Sequence, residues 1–192
     1  AATAGKMASV QERSLATVGG NLCNASPAGD MAPPLIALNA RAVIAGPGGE
    51  CVVPLEDFFL GAGQSVLRPG EILREILVPR PDESTRVTYQ KFEHRAAMDI
   101  AIVGVAIAAR LQNPGRRSEP PFSGKSEIQN CVDVRLVLGA VAPTPLRAKR
   151  AEDALRGQAL TAERIQEAAR LAAAEAMPID DIRGSAWYRR EM

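Results

Sequence analysis

The chain has 192 residues, with 23 Lys and Arg against 22 Asp and Glu and a formal net charge of +1. With 46% hydrophobic and only 4% aromatic residues, it has the composition of an ordinary folded domain whose core rests on Ala, Val, Ile and Leu. That excludes a disordered chain and a strongly basic nucleic-acid binder, and no run approaches the ~20 apolar residues of a helical membrane span.

The opening residues, AATAGKM, have no basic n-region and no apolar h-region and do not read as a signal peptide. Residues 4–13 predict a short helix. The adjacent Gly19 and Gly20 should break any helix there, since they admit positive φ. A polar loop over 24–30 leads to Asp30 as N-cap of a helix running to Ala40, with Pro33 and Pro34 in its first turn. Residues 40–45 and 50–55 read as strands joined by a hairpin at 46–49. A helical turn over 55–60, capped near Asp57, precedes a strand at 72–78.

The Pro-rich, charged stretch 79–84 reads as a linker, with a boundary near residue 83 separating 1–83 from 84–192. Strands follow at 86–93, 100–111 and 131–141. The last two carry apolar residues at both alternations, so both faces of their sheet should be covered. Residues 112–130 read as an exposed hairpin loop. Helices are predicted at 147–156 and 162–177. The second starts after Thr161 as N-cap, stops at Pro178 and aligns Ile165, Ala168, Ala169, Ala172 and Ala176 on one face. Strands and turns followed by terminal helices make an α+β pattern, not a repeated βαβ pattern.

Little in the chain suggests acid–base or metal chemistry. Cys23, Cys51 and Cys131 are isolated, with no CxxC, which argues against a zinc or cluster site and for a reducing, cytoplasmic location. His94 is alone and flanked by charge, so it reads as a surface residue. Glu71 and Glu75 share a strand face, but nothing near them suggests hydrolysis. Trp187 and Tyr188 fit either core or interface.

The densest signal is ATVGGNLCNASPAGD, residues 16–30. Its glycines let backbone N–H groups approach a phosphate or a flavin ring. Its hydroxyl and amide side chains can donate to phosphate oxygens, and Asp30 can accept from a ribose or a ring N–H. The same residues also build a capped turn leading into a helix, and spacing alone leaves both readings open. Neither a Walker motif nor GxGxxG is present.

The stretch 16–34 resembles the second flavin-contact loop of the flavin-binding module of molybdenum hydroxylases, the xanthine dehydrogenase and aerobic carbon monoxide dehydrogenase group. The resemblance continues in the family's order through LRPGEIL (67–73), YQKF (89–92), Arg95 with MDIA (98–101), LGAVAPTP (138–145), and DDIRGSA with YRR (180–186 and 188–190). It implies an α+β fold in two parts. Residues 1–83 would be the second subdomain of the two-part FAD-binding module. Residues 84–192 would be a C-terminal domain with a three-stranded antiparallel sheet packed on helices. The family's first, AGGT-like glycine loop is not among these residues, so the resemblance is to a flavin subunit lacking its N-terminal FAD subdomain. The family branch with an extra cysteine-rich cluster insertion does not match three scattered cysteines.

The resemblance also implies roles. Thr17, Val18, Gly19, Gly20 and Asn21 would contact the phosphates and ribityl chain of FAD, and Asn24, Ser26 and Asp30 would add contacts from the same loop. Leu73 would pack on the isoalloxazine ring, compatible with being an inward strand residue. Lys91 would lie near the flavin's polar edge, where a cation favours negative charge on reduced flavin; its plainer reading is a solvated strand lysine. No catalytic residue and no metal ligand is implied in this chain. The implied function is a FAD-binding electron-transfer subunit, inactive alone, that takes electrons from [2Fe–2S] clusters of a small subunit. A large subunit would hold the molybdopterin, a separate N-terminal FAD segment would complete the site, and NAD, a quinone or oxygen would accept the electrons. The alternative is a docking fragment of such a subunit that binds no FAD by itself. A third reading, an enolpyruvyl reductase, needs a substrate serine and a proton-donating carboxylate that the sequence does not present.

Overall fold

The computed structural model describes residues 2–95, 98–112 and 129–192. The first part runs α1 (Ala2–Lys6), α2 (Val10–Leu15), α3 (Val18–Cys23), α4 (Ala32–Ala37), β1 (Arg41–Gly46), β2 (Gly49–Pro54), a 3-10 turn (Leu55–Asp57), β3 (Phe59–Gly61), β4 (Gln64–Ser65) and β5 (Ile72–Leu77). The helix expected over 4–13 is two helices. Ala8 takes φ 46°, and Ser9 starts α2 afresh with a capping box: its Oγ accepts from Glu12 N–H at 3.1 Å, and Glu12 accepts from Ser9 N–H at 2.8 Å. Helix α4 stops short of Ala40 because Asn39 turns left-handed at φ 60° and the Ala40 N–H returns to the Leu35 carbonyl at 2.9 Å. The expected hairpin forms, and β1 becomes the centre of an antiparallel sheet ordered β2-β1-β5. The turn at 55–57 starts at Pro54 with no side-chain cap, so Asp57 is not its cap.

The second part contains β6 (Thr85–Phe92), β7 (Val103–Leu111), β8 (Asn130–Gly139), β9 (Leu146–Arg147), α5 (Lys149–Leu155), β10 (Gln158–Ala159), α6 (Ala162–Glu175) and α7 (Ala186–Glu191). The three long strands form the expected antiparallel sheet, and the two-residue β9 and β10 extend it beside β8. Strand β7 begins at Val103, not 100, although Ala101 and Ile102 are already buried. Strand β8 ends at Gly139 because Ala140 adopts φ 63°. Arg147 falls in β9, so α5 starts two residues late. Most of the loop expected over 112–130 (residues 113–128) lies outside the described residues.

Alternation along β7 divides the interior. Ala106 and Val137 pack with α4, Leu22, Ile36 and Phe58 in one core; Val103, Leu136 and Leu138 pack with Ala148, Ala151, Ala168 and Ala172 in another. The first core therefore crosses residue 83. Helix α4 sits so close to the sheet that a Cβ on Gly139 would come 2.9 Å from Pro33 Cγ. Coverage on both faces does not extend to β6, where Thr88, Gln90 and Phe92 stay exposed. The α6 stripe is narrower than its periodicity suggests: Ala168, Ala172 and Ala176 are buried, but Ile165 is 47% exposed and Ala169 is exposed. Ala168 and Ala172 pack into the second core with Ala151 and Leu155, and Ile165 is left at the rim.

Candidate cofactor site

The glycine pair does not break the chain into a loop. Gly19 and Gly20 lie inside α3, whose N-cap is Thr17: its Oγ1 accepts from the Gly20 N–H at 2.9 Å. Leu22, fully buried, anchors this short helix against the first core and offsets the poor helix propensity of glycine. Thr17, Val18 and Gly20 remain exposed, so the surface here is backbone, a hydroxyl and small groups. First-turn N–H groups have no intrahelical partner. A Cβ on Gly20 would come 3.0 Å from Thr17 Oγ1 and crowd the cap. A Cβ on Gly19 would stand 3.9 Å from Leu73 Cδ2, so β5 brings Leu73 against α3.

The rest of the loop is braced internally. Asn21 Oδ1 accepts from Met31 N–H at 3.4 Å, and Ser26 Oγ from Ala28 N–H at 3.3 Å. Asn24 is the exposed C-cap of α3, and Ala25 turns the chain at φ 46°. Asp30 is not the cap of α4; Met31 holds that position without a side-chain bond. The Asp30 carboxylate is drawn away to the second sheet, where it accepts from Tyr89 Oη at 2.7 Å and Lys91 Nζ at 3.1 Å.

Lys91 is not a solvated strand lysine. Its side chain is 4% exposed, and Nζ also donates to the Asp99 carbonyl at 2.6 Å and pairs with Glu93 at 3.0 Å. Burial pulls its pKa down, but Glu93 and Asp30 outweigh burial and hold it above the usual lysine value, so it stays charged. Burial, reinforced by the Asp30 hydrogen bond, pushes the Tyr89 phenol far up, so it stays protonated. Tyr89, Glu93 and Asp99 had no role in the sequence reading. The signal available was the x-Tyr-x-Lys alternation of β6, which puts positions 89 and 91 on one face.

The two C-terminal motif blocks meet at Arg189, which donates to Ala140 O at 3.2 Å and to Asp181 at 2.6 Å. Its role is to close the end of β8 onto α7. His94 is exposed, with Nε2 2.9 Å from Arg183 O. Trp187 is exposed, whereas Tyr188 packs into the second core and edge-on to Phe92. Two cavities of about 340 and 330 Å³ take Lys91 and the loop residues Pro27 and Ala28, respectively, into their linings, and neither is lined by residues 17–21 or Leu73. Among the described residues there is no cluster of His, Cys, Asp and Glu fit to hold a metal, and no helix is long and apolar enough to cross a membrane. The donor set at 17–21 is backbone amides and a hydroxyl beside an apolar residue. That suits a ligand with phosphates and a flat ring and gives no group for acid–base catalysis.

Residues 1–81 match the family described as the FAD binding domain in molybdopterin dehydrogenase, and residues 87–192 match the CO dehydrogenase flavoprotein C-terminal domain. The carbon monoxide dehydrogenase medium chain of Hydrogenophaga pseudoflava is 33% identical over 97% of this chain and 59% of its own length. The xanthine dehydrogenase FAD-binding subunit of Escherichia coli O157:H7 is 31% identical over 98% and 60%. A solved carbon monoxide dehydrogenase from Hydrogenophaga pseudoflava superimposes with TM-score 0.85 at 35% identity, covering 97% of this chain and 60% of that one. The chain thus spans about 60% of the length of these relatives. On both domain matches and on this structural likeness, the chain belongs to the CO dehydrogenase-type flavoprotein family of the molybdenum hydroxylases.

Proposed function

We propose that this chain carries part of the FAD site of an electron-transfer subunit in a molybdenum-containing hydroxylase or dehydrogenase. The observation that carries the reading is the exposed glycine turn of α3 set directly against Leu73 of β5. Thr17, Val18, Gly19, Gly20 and Asn21 offer backbone amides and small polar groups to the phosphates and ribityl chain. Asn24, Ser26 and Asp30 shape and brace the same loop. Leu73 offers an apolar face to the ring, and Lys91 lies beyond Asp30. The flavin, when bound, supplies the redox chemistry, and the protein orients it and sets its surroundings. Electrons would arrive from [2Fe–2S] clusters of a small subunit, after oxidation of substrate in a molybdopterin-holding large subunit, and leave to NAD, a quinone or oxygen. A separate N-terminal FAD segment would complete the pyrophosphate cradle, and the chain alone would turn over no substrate.

The test is a titration of the purified chain with FAD, followed by absorbance and flavin fluorescence, alone and with the N-terminal FAD segment supplied in trans. Saturable binding in either arm, weakened by Leu73→Ala, supports the reading. No binding in either arm overturns it and leaves a docking fragment of the flavoprotein subunit.

A further inference from the structure

Tyr89 reaches Asp30 across a strand that carries no side chain beneath it. In the register of β6 with β7, Tyr89 pairs with Ala106 and Lys91 with Gly104. The Tyr89 ring leans along the sheet over Gly104. A Cβ on Gly104 would come 2.8 Å from Tyr89 Oη and 3.3 and 3.4 Å from its Cε2 and Cζ. Gly104 pairs in turn with Gly139, whose own missing Cβ makes room for Pro33 of α4. The two glycines thus form a bare lane across β7 and β8, shared by α4 and the phenol. From this lane Oη donates to Asp30 Oδ1 at 2.7 Å. Burial keeps the phenol protonated, so it stays a neutral donor.

The Asp30 side chain has a soft terminal torsion, and its hydrogen bonds decide how the carboxylate is turned. Tyr89 holds Oδ1, and Lys91 donates to Oδ2. A carboxylate has about four acceptor sites, so Asp30 keeps capacity for an N–H or O–H of a ligand.

We propose that Tyr89 is a positioning residue of the flavin site, admitted to it by Gly104, and that its hydroxyl sets the orientation in which the Asp30 carboxylate meets the cofactor. Asp30 lies in the FAD-binding match, and Tyr89 and Gly104 lie in the C-terminal match. The second domain therefore acts on the cofactor loop of the first through one hydroxyl. The inference rests on the FAD reading above, but the geometry beneath it is measurable without cofactor.

The experiment compares Tyr89→Phe, Gly104→Ala and the double variant. Gly139→Ala is the control, since it disturbs the seat of α4 and leaves the hydroxyl alone. Thermal unfolding without FAD reads the packing. FAD titration, in whichever arm binds, and visible circular dichroism of the flavin at saturation read the site. Tyr89→Phe keeps the ring and should weaken FAD binding about tenfold, the scale of a hydrogen bond to a charged group, and change the flavin spectrum. Gly104→Ala displaces the phenol and should do the same in the wild-type background, but add less than about twofold to Tyr89→Phe, because both act through one hydroxyl. Gly139→Ala should lower the unfolding temperature and leave the flavin spectrum unchanged. Wild-type affinity and spectrum in Tyr89→Phe, or full additivity of the two FAD losses, would overturn the proposal. So would a spectral change in Gly139→Ala equal to that in Tyr89→Phe, which would mark general loosening. Without FAD, Gly104→Ala should lower the unfolding temperature more in the wild-type background than in Tyr89→Phe, which lacks the oxygen nearest the new methyl; equal losses would overturn the geometry. If Gly104→Ala does not fold, Tyr89→Phe against Gly139→Ala carries the test. If the wild-type protein takes no FAD, the proposed function fails, while the FAD-free comparison still decides whether Gly104 admits the hydroxyl.

Discussion

Glu152 is the most demanding buried charge in the described structure. It is 1% exposed and sits in α5 behind β8. Its Oε1 accepts from the Leu136 N–H at 2.9 Å and Arg147 Nε at 3.0 Å, and its Oε2 accepts from Arg147 Nη2 at 2.6 Å. Arg147 reaches on to Glu56 at 3.0 Å, so this pair also fastens the second sheet to the turn after β2. Glu152→Ala leaves the Leu136 N–H buried without a partner, worth about 1–3 kcal/mol. It also leaves a guanidinium, 17% exposed, with only its rim carboxylate. Breaking a buried pair from one side costs about 3–5 kcal/mol in total. That is a large share of the ~5–15 kcal/mol a domain has. For a chain of this size it lowers Tm by roughly 6–20 °C, at ~2–4 °C per kcal/mol. The assay is urea unfolding at constant m together with a thermal scan. Asp153→Ala, which removes an exposed partner of Arg156, is the control and should cost less than about 1 kcal/mol. A loss below about 1 kcal/mol in Glu152→Ala would refute the reasoning, since neither the orphaned amide nor the stranded arginine would then be real.

Thr17→Ala removes the cap of α3 and should cost about 0.5–2 kcal/mol, with weaker FAD binding by titration; Thr17→Ser should retain both. Gly139→Ala places a methyl 2.9 Å from Pro33 Cγ, so it should destabilise by about 1–3 kcal/mol, and an unchanged Tm would show that α4 is not seated as described. Asp99 and Asp181 are both held below the usual carboxylate range. For Asp99 the cause is first the Ile100 N–H and then the Arg95 N–H and charge. For Asp181 burial pushes the other way and is outweighed by the Arg183 N–H and the Arg189 guanidinium. A depressed folded pKa gives stability that is complete above the unfolded value of about 4 and is lost as pH falls through the folded value. Asp181→Asn should therefore flatten the acid limb of a stability–pH curve measured by denaturation between neutral pH and pH 2, and a curve as steep as wild type would contradict the assignment.

Periodicity and turn chemistry carried the strands well, because β1, β2, β5 and the three long strands of the second sheet are bounded by glycine, proline and polar clusters that act locally. The failures are tertiary. Glycines at 19 and 20 read as helix breakers, yet Thr17 caps a helix over them and buried Leu22 holds it down. Asp30 read as an N-cap, yet a tyrosine and a lysine some sixty positions later take its carboxylate. No local pattern could show Lys91 buried and ion-paired, since its partners come from a loop, a strand end and a carbonyl. The two-residue β9 and β10 fall below any periodic signal. The meeting of Leu73 with Gly19 depends on how α3 packs on β5, so the ordered family motifs, not spacing, placed both on one surface.

The measurement that tests the central claim most directly is backbone hydrogen exchange at residues 17–21 and at Leu73, compared between the FAD-loaded and FAD-free protein. The Gly20 N–H is held by the Thr17 hydroxyl, so Val18 and Gly19, at the head of α3, are the amides that should exchange fastest without cofactor. The account predicts that FAD slows exchange at Val18 and Gly19 and around Leu73, with the far face of α6 unchanged. Protection that leaves residues 17–21 untouched while appearing elsewhere would contradict it and move the flavin off this surface.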